Sequence, residues 1–302
     1  MQARFAIKFI AGCGLLAVAT SAFSQRIDLT DDAGNPVSLQ VPARRVVALA
    51  PNLAELVYAA GAGSRLVAVS RFSDFPEDVK KLPVVSDAFA INLEALAALR
   101  PDLVLVWQSG SQGRQRQALH ALAQRQGFAV FESEIPTVEA IATTLQRIGR
   151  MAGTAQTADK ASEAILQDWK ALQARYQTAS PLRVFYQLWD APLMTLNGKH
   201  IVSQAIRSCG GIQGFDTLSA LTPTVSREAV LAFNPQLILA GGENENSAAL
   251  SAWRALPGLA AVQHAQLKPA NAALLSRMGP RFVKAAAALC ERIDGARSAN
   301  GM

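Results

Sequence analysis

One stretch of this chain occurs twice. Asn92-Leu-Glu94-Ala-Leu-Ala-Ala-Leu-Arg-Pro101-Asp-Leu-Val-Leu105 lies on Ser226-Arg-Glu228-Ala-Val-Leu-Ala-Phe-Asn-Pro235-Gln-Leu-Ile-Leu239 without a gap. Each copy reads as a helix-capping residue, a glutamate two places on, a short apolar helix, a proline stop and a strand. Arg45-Val46 and Arg183-Val184 open a matching strand earlier in each half. The repeat therefore predicts two lobes built to one βα design.

The rest of the chain agrees with that frame. Short runs rich in Val, Leu and Ile at 46–49, 66–69, 103–107 and 129–131 alternate with helical patterns such as 53–60, which stops at Gly61. A second series has strands at 184–188 and 237–240 and a helix at 200–208, before Gly210-Gly211. Such alternation predicts mainly parallel sheets with helices on both faces. Between the series, 137–178 has no strand character. Ala161, Ile165, Trp169, Leu172 and Tyr176 recur there at helical spacing, with no Gly or Pro from 159 to 176 and Pro181 beyond. The expected fold class is α/β: two Rossmann-like lobes, 25–150 and 181–302, joined by one long rigid helix within 151–180.

The first 24 residues read as a secretory signal peptide. Arg4 and Lys8 give a basic start, an apolar run follows, and Ala22-Phe23-Ser24 offers small residues for cleavage before Gln25. Ile10-Ala11-Gly12-Cys13 has the residue types of a lipoprotein box, but most of the apolar run follows Cys13, so the lipidated form is the lesser expectation. No other stretch reaches the ~18 apolar residues that a spanning helix requires. The expected location is the periplasm. Half of the chain is hydrophobic (50%) and 17% is charged, which excludes a disordered chain. The net charge of +6 comes without a Lys/Arg cluster, so no nucleic-acid partner is expected. After cleavage Cys209 and Cys290 remain, either bridged in an oxidising compartment or buried as two thiols. No Cys/His spacing suits zinc.

Aromatic residues gather where strands should end. Phe72-Ser73-Asp74-Phe75-Pro76 follows the second strand, Phe89 precedes the Asn92 helix, Trp107 ends a strand, and Tyr186 and Trp189 close the first strand of the second lobe. Ligands of open α/β sheets bind outside the carboxyl ends of strands. A ring-lined cleft there suits a large, flat, partly apolar ligand. Trp107 and Trp189 are expected to face it, whereas Phe75 and Tyr186 fit plain core. Glu94 and Glu228 occupy the second position of equivalent helices, where the helix N-terminus stabilises a carboxylate. Two such acids on one rim could also be gripped by a dimeric membrane partner with a basic pocket on each subunit.

At these residues the chain resembles the cobalamin-binding periplasmic proteins of bacterial importers. These belong to the wider helical-backbone, or class III, group of solute-binding proteins. The matching stretches are Ala50-Pro51-Asn52 with Glu55, Phe72 to Pro76, Asn92-Leu-Glu94, Arg100 to Trp107, Arg183 to Gln187, Cys209-Gly-Gly, Val225 to Glu228 and Arg277-Met-Gly-Pro-Arg281. The resemblance implies capture of cobalamin or a related corrinoid by a monomeric protein and delivery to the permease dimer of an ABC importer. It implies that Phe72, Trp107 and Arg277 meet the ligand, with Asp74, Phe89, Trp189 and Ser276 expected beside them, and that Glu94 and Glu228 dock on the permease. It also implies a Cys209–Cys290 bridge. Phe89 stands one position from where the pattern carries a tryptophan. No resident cofactor or metal is expected, since cobalamin brings its own cobalt.

Haem or a ferric siderophore is the alternative ligand. Haem would favour a Tyr or His ligand to iron, and His120, His200 and His264 all lie outside the aromatic loops. An enzyme is not expected: the chain has no Gly-x-Ser-x-Gly elbow, P-loop or Gly-x-Gly-x-x-Gly, and Asp74 has no visible acid or nucleophile partner.

Overall fold

The computed structural model describes residues 26–241, 248–270 and 272–301. The leader expected at 1–24, with Cys13, lies outside the described residues. The strands are β1 (Ile27–Thr30), β2 (Pro36–Leu39), β3 (Val46–Ala48), β4 (Leu66–Ser70), β5 (Val84–Ser86), β6 (Leu103–Trp107), β7 (Ala129–Ser133), β8 (Leu182–Gln187), β9 (Gly211–Ile212), β10 (Leu237–Ala240) and β11 (Leu267–Pro269). The helices are α1 (Pro51–Ala59), α2 (Leu93–Ala98), α3 (Gly113–Gln126), α4 (Val138–Met151), α5 (Ala155–Tyr176), α6 (Ile201–Ser208), α7 (Arg227–Phe233), α8 (Ala248–Arg254), α9 (Ala260–Gln263), α10 (Ala272–Leu275) and α11 (Phe282–Ala299).

Each half forms its own parallel sheet. The first has the order β5-β4-β3-β6-β7 and the second β11-β10-β8-β9, and every described pairing within both is parallel. The antiparallel pair β1–β2 stands apart. Successive residues Leu103, Val104 and Leu105 of β6 are all buried, so the strand is covered on both faces, as parallel strands under helices must be.

The repeat is reproduced down to its hydrogen bonds. Asn92 caps α2 by accepting from the Ala95 N–H at 3.0 Å, and Ser226 caps α7 by accepting from the Ala229 N–H at 3.1 Å. Arg100 and Asn234, which share a register position, both leave their helices with positive φ, 44° and 49°, the left-handed turn that ends many helices. The Asp102 carboxylate accepts from the Arg45 N–H, and the Gln236 side-chain oxygen from the Arg183 N–H. The guanidinium groups of Arg45 and Arg183 each donate to the last turn of the repeat helix, at the carbonyls of Leu99 and Asn234. The same βα unit is thus tied to the same opening strand in both lobes.

The segment expected as one connector contains two helices. Ala152-Gly153-Thr154 separates α4 from α5, and Gly153 adopts φ 65° where a Cβ would come within 2.9 Å of Pro42. Helix α5 is the crossing element. Ile165, Trp169, Leu172 and Tyr176 are buried in one apolar cluster that also holds Leu56, Leu103 and Leu145 of the first half and Leu182, Ile206 and Leu289 of the second. The outer helices cover separate clusters, around Leu96 and Leu119 in one lobe and around Phe185 and Trp253 in the other. Cys209 and Cys290 form a disulfide with a Cα–Cα separation of 5.0 Å, pinning the end of α6 to α11. It closes a loop of 81 residues, which in the chain-entropy account is worth about 4 kcal/mol. No helix of the described residues is long and apolar enough to cross a membrane.

Candidate functional site

A cavity of about 440 Å³ opens between the two sheets. Trp107, Ser109, Glu134, Ile135 and Pro136 line it from the first lobe, at or just beyond the carboxyl ends of β6 and β7. Tyr186, Leu188, Leu196, Lys199, His200, Ile201, Val202, Leu221, Thr222, Ser276 and Met278 line it from the second. The wall is mainly apolar with a few polar groups, the make-up of a small-molecule site.

Trp107 is half-buried and forms part of the floor. Gly110 lies so close to its ring that a Cβ would come within 2.0 Å, so the loop after β6 packs flat on the indole. The indole N–H is enclosed without a protein partner. Beside it, the Glu134 carboxylate accepts from both the N–H and the hydroxyl of Ser109 at 2.9 Å, fixing the loop that bounds the cavity.

The other predicted aromatics stand outside the cavity proper. Phe72, Phe89 and Trp189 are 71%, 78% and 62% exposed, each in the loop that follows a strand's carboxyl end. Large rings left bare in this way mark an interaction surface more often than a core. Phe72 also adopts φ 67°, a conformation bulky residues rarely hold without support. The support comes from Arg277, which donates to the Phe72 carbonyl at 3.4 Å, and from Arg71, whose guanidinium lies 5.9 Å from the ring centre.

Asp74 and Arg277, expected to meet a ligand, meet each other. Arg277 grips the Asp74 carboxylate with both terminal nitrogens, one at 2.9 Å. Hydrogen bonding from Arg277, more than its charge, holds the Asp74 carboxyl below the usual carboxylate range, and Asp74 in turn raises the Arg277 guanidinium. Arg277 also reaches Glu55 Oε1 at 3.5 Å, while Arg281 donates to both Glu55 oxygens, through Nε at 2.9 Å, and lies 4.1 Å over the Phe75 ring. The Asn52 amide donates to the Met278 carbonyl at 3.3 Å. The start of α1 and the loop before α11 are therefore joined by a network linking the two lobes. Glu55 is buried, which such an ion pair permits only when its oxygens are well satisfied. Glu55 and Arg281 carried no assigned role in the sequence, although their opposite charges in two family-like stretches were a signal.

Of the predicted ligand residues, Trp107 and Ser276 line the cavity, Phe72, Asp74 and Arg277 form one cluster, and Phe89 and Trp189 occupy separate loops. Tyr186 is buried in the core, as its sequence position suggests, and also lines the cavity; burial pushes its hydroxyl up to about 12. His200 lies outside the aromatic loops, as the sequence suggests, yet belongs to the site. It is the N-cap of α6 and stands in the cavity wall. His120 pairs with buried Glu132 at 2.8 Å, and His264 is exposed. Among the described residues no group of three or more His, Cys, Asp and Glu is placed to hold a metal ion.

Glu94 and Glu228 are both exposed at the second residue of their helices. Each helix feeds a parallel strand and so begins at the carboxyl edge of its sheet, the edge from which the cavity is lined. Hydrogen bonds from its own backbone N–H and from Ser226 hold the Glu228 carboxyl below its ordinary value.

Comparison with known proteins agrees with this architecture. The family model described as "Periplasmic binding protein" matches residues 46–272. The vitamin B12-binding protein of Vibrio cholerae serotype O1 is 34% identical over 250 residues, spanning 82% of this chain and 88% of that one. Its counterpart from Yersinia pestis is 36% identical over 251 residues, spanning 83% and 86%. The crystal structure of the periplasmic vitamin B12-binding protein of Vibrio cholerae superposes with a TM-score of 0.76 at 33% identity, covering 85% of this chain and 98% of that one. A periplasmic haem-binding protein in complex with two haems shares the fold with a TM-score of 0.71 at 24% identity, covering 83% and 98%. With its two parallel-sheet lobes, its crossing helix and its cavity between the strand ends, the chain belongs to the periplasmic binding protein family.

Proposed function

We propose that this protein captures cobalamin or a related corrinoid between its lobes in the periplasm and delivers it to the permease of an ABC importer, acting by binding rather than catalysis. The observation that carries the reading is a mainly apolar cavity floored by Trp107, with the bare rings of Phe72, Phe89 and Trp189 on the loops beyond the strand ends. A corrinoid with its nucleotide loop is larger than the cavity. The cavity would take one part of it, and the exposed rings would cover apolar faces of the rest. The relatives of 34–36% identity that are vitamin B12-binding proteins support the same ligand.

Haem is the second reading, favoured by the presence of Tyr186 and His200 in the cavity wall. Both are poorly disposed to bind iron. Burial keeps Tyr186 protonated well above neutral pH, and the Nδ1 of His200 is engaged in capping α6. Gel filtration separates the readings. Protein mixed with cyanocobalamin is expected to carry the red chromophore through the column. Elution of the colour as free ligand, with haemin retained by the protein instead, overturns the corrinoid reading.

A further inference from the structure

His200 closes α6 with its ring, Nδ1 accepting the Val202 N–H at 3.2 Å. A neutral imidazole that accepts at one nitrogen carries its proton on the other. Burial keeps this ring neutral at physiological pH, lowering it to about 4. The proton therefore sits on Nε2, which has no hydrogen-bond partner among the described residues and is not an enclosed atom. His200 lines the interlobe cavity together with Tyr186, Lys199 and Thr222. A donor held in a cavity wall with no protein acceptor is satisfied by water or by what the cavity binds.

We infer that His200 is a specificity-determining residue whose Nε2–H donates a hydrogen bond to an acceptor oxygen of the bound ligand. On the corrinoid reading, on which this inference rests, that oxygen is a carboxamide of the ring edge or the phosphate of the nucleotide loop. The helix cap fixes the tautomer, so the protein presents a donor in advance of the ligand. The same tautomer offers no lone pair to iron or cobalt. His200 therefore selects a ligand with peripheral oxygen acceptors over one that seeks an axial nitrogen.

The test is titration calorimetry of the wild-type protein, His200→Asn and His200→Ser with cyanocobalamin and with dicyanocobinamide, which lacks the nucleotide loop. Asn and Ser both remain good helix caps, so the fold is kept while the distal N–H is removed. Affinity for cyanocobalamin is expected to fall about 5-fold in both variants, the scale of one hydrogen bond. A loss with both ligands assigns the acceptor to a ring carboxamide, and a loss with cyanocobalamin alone assigns it to the phosphate. In nitrogen-15 NMR of the wild-type ring, Nε2 is expected to bear the proton, and that proton is expected to move downfield on adding cyanocobalamin. Wild-type binding with unchanged affinity in both variants and an unmoved ring proton overturns the inference. Failure of the wild-type protein to bind either corrinoid overturns the corrinoid reading itself, and this inference with it.

Discussion

Asp74 and Arg277 show what a residue's neighbours do to its role. Each alone is a charge on a cleft rim, available to a ligand. Together they form a two-pronged charge-assisted pair across the lobes, among the stronger polar contacts available to side chains. Arg277 is therefore engaged by Asp74 and Glu55 and is not presented to the cleft as a free cation. Trp107 is the ring that both floors the cavity and packs on the core. Trp107→Ala is expected to weaken cyanocobalamin binding by about 1–3 kcal/mol, measured by titration calorimetry. An unchanged dissociation constant would place the ring wholly in the core. His200 makes a second residue-scale prediction. Its folded value is lowered from 6.5 to about 4 by burial, so between those values the unfolded chain binds a proton that the folded chain does not. Stability from the neutral ring is thus full above pH 6.5 and is lost as pH falls toward 4, by up to about 3 kcal/mol. Denaturant midpoints of wild-type protein and His200→Asn, compared at about pH 7.5, above that window, and at about pH 4.5, near its lower end, are expected to diverge with pH in this direction. A pH-independent difference between them would contradict it.

The helix–strand repeat is the element whose chemistry is easiest to test. Its two copies use different side chains, Asn92 and Ser226, for one task, and Asp102 and Gln236 for another. What the copies share is the positions of polar atoms, which is what backbone N–H groups at a helix start require. Asn92→Ala and Ser226→Ala are each expected to cost about 1 kcal/mol of stability. Because the caps belong to different lobes, the double variant should cost about the sum, read from urea midpoints. A non-additive result would mean that the caps are coupled through the lobe contact. The elements themselves were largely legible. Strands β6 and β10 match the expected apolar runs, since buried parallel strands announce themselves by composition. The helical stretch between lobes was legible as helix but not as two helices, because the break at Gly153 needs only one left-handed residue. The end of α6 was legible, but its start was displaced by one: His200 reads as a helix residue and is in fact the cap.

At the scale of the molecule, α5 matters through its buried face more than its length. That face lies in an apolar cluster containing residues of both halves, so bending the lobes apart would expose core. The Glu55–Arg281 pair adds a link between the lobes that does not run through α5, and the Cys209–Cys290 bridge braces the second lobe within itself. Such a frame would present Glu94 and Glu228 to a dimeric permease at a nearly fixed spacing. Changing both to Ala is expected to abolish corrinoid uptake in a transport assay while leaving calorimetric affinity unaltered. Reduced affinity with intact uptake would refute the docking role.

The sequence by itself determined the duplicated βα unit, the α/β class, the crossing helical face and the stretches that resemble corrinoid-binding proteins. Local periodicity, capping chemistry and turn residues carry those properties, and each is written within a few consecutive positions. Only the tertiary structure decided that Asp74 closes on Arg277, that Glu55 is buried under two arginines, and that His200 stands in the cavity wall. These contacts join residues more than 200 positions apart or loops without any period. They exist because two separately patterned lobes are packed on a common core, and the distance between their rims is set by that packing.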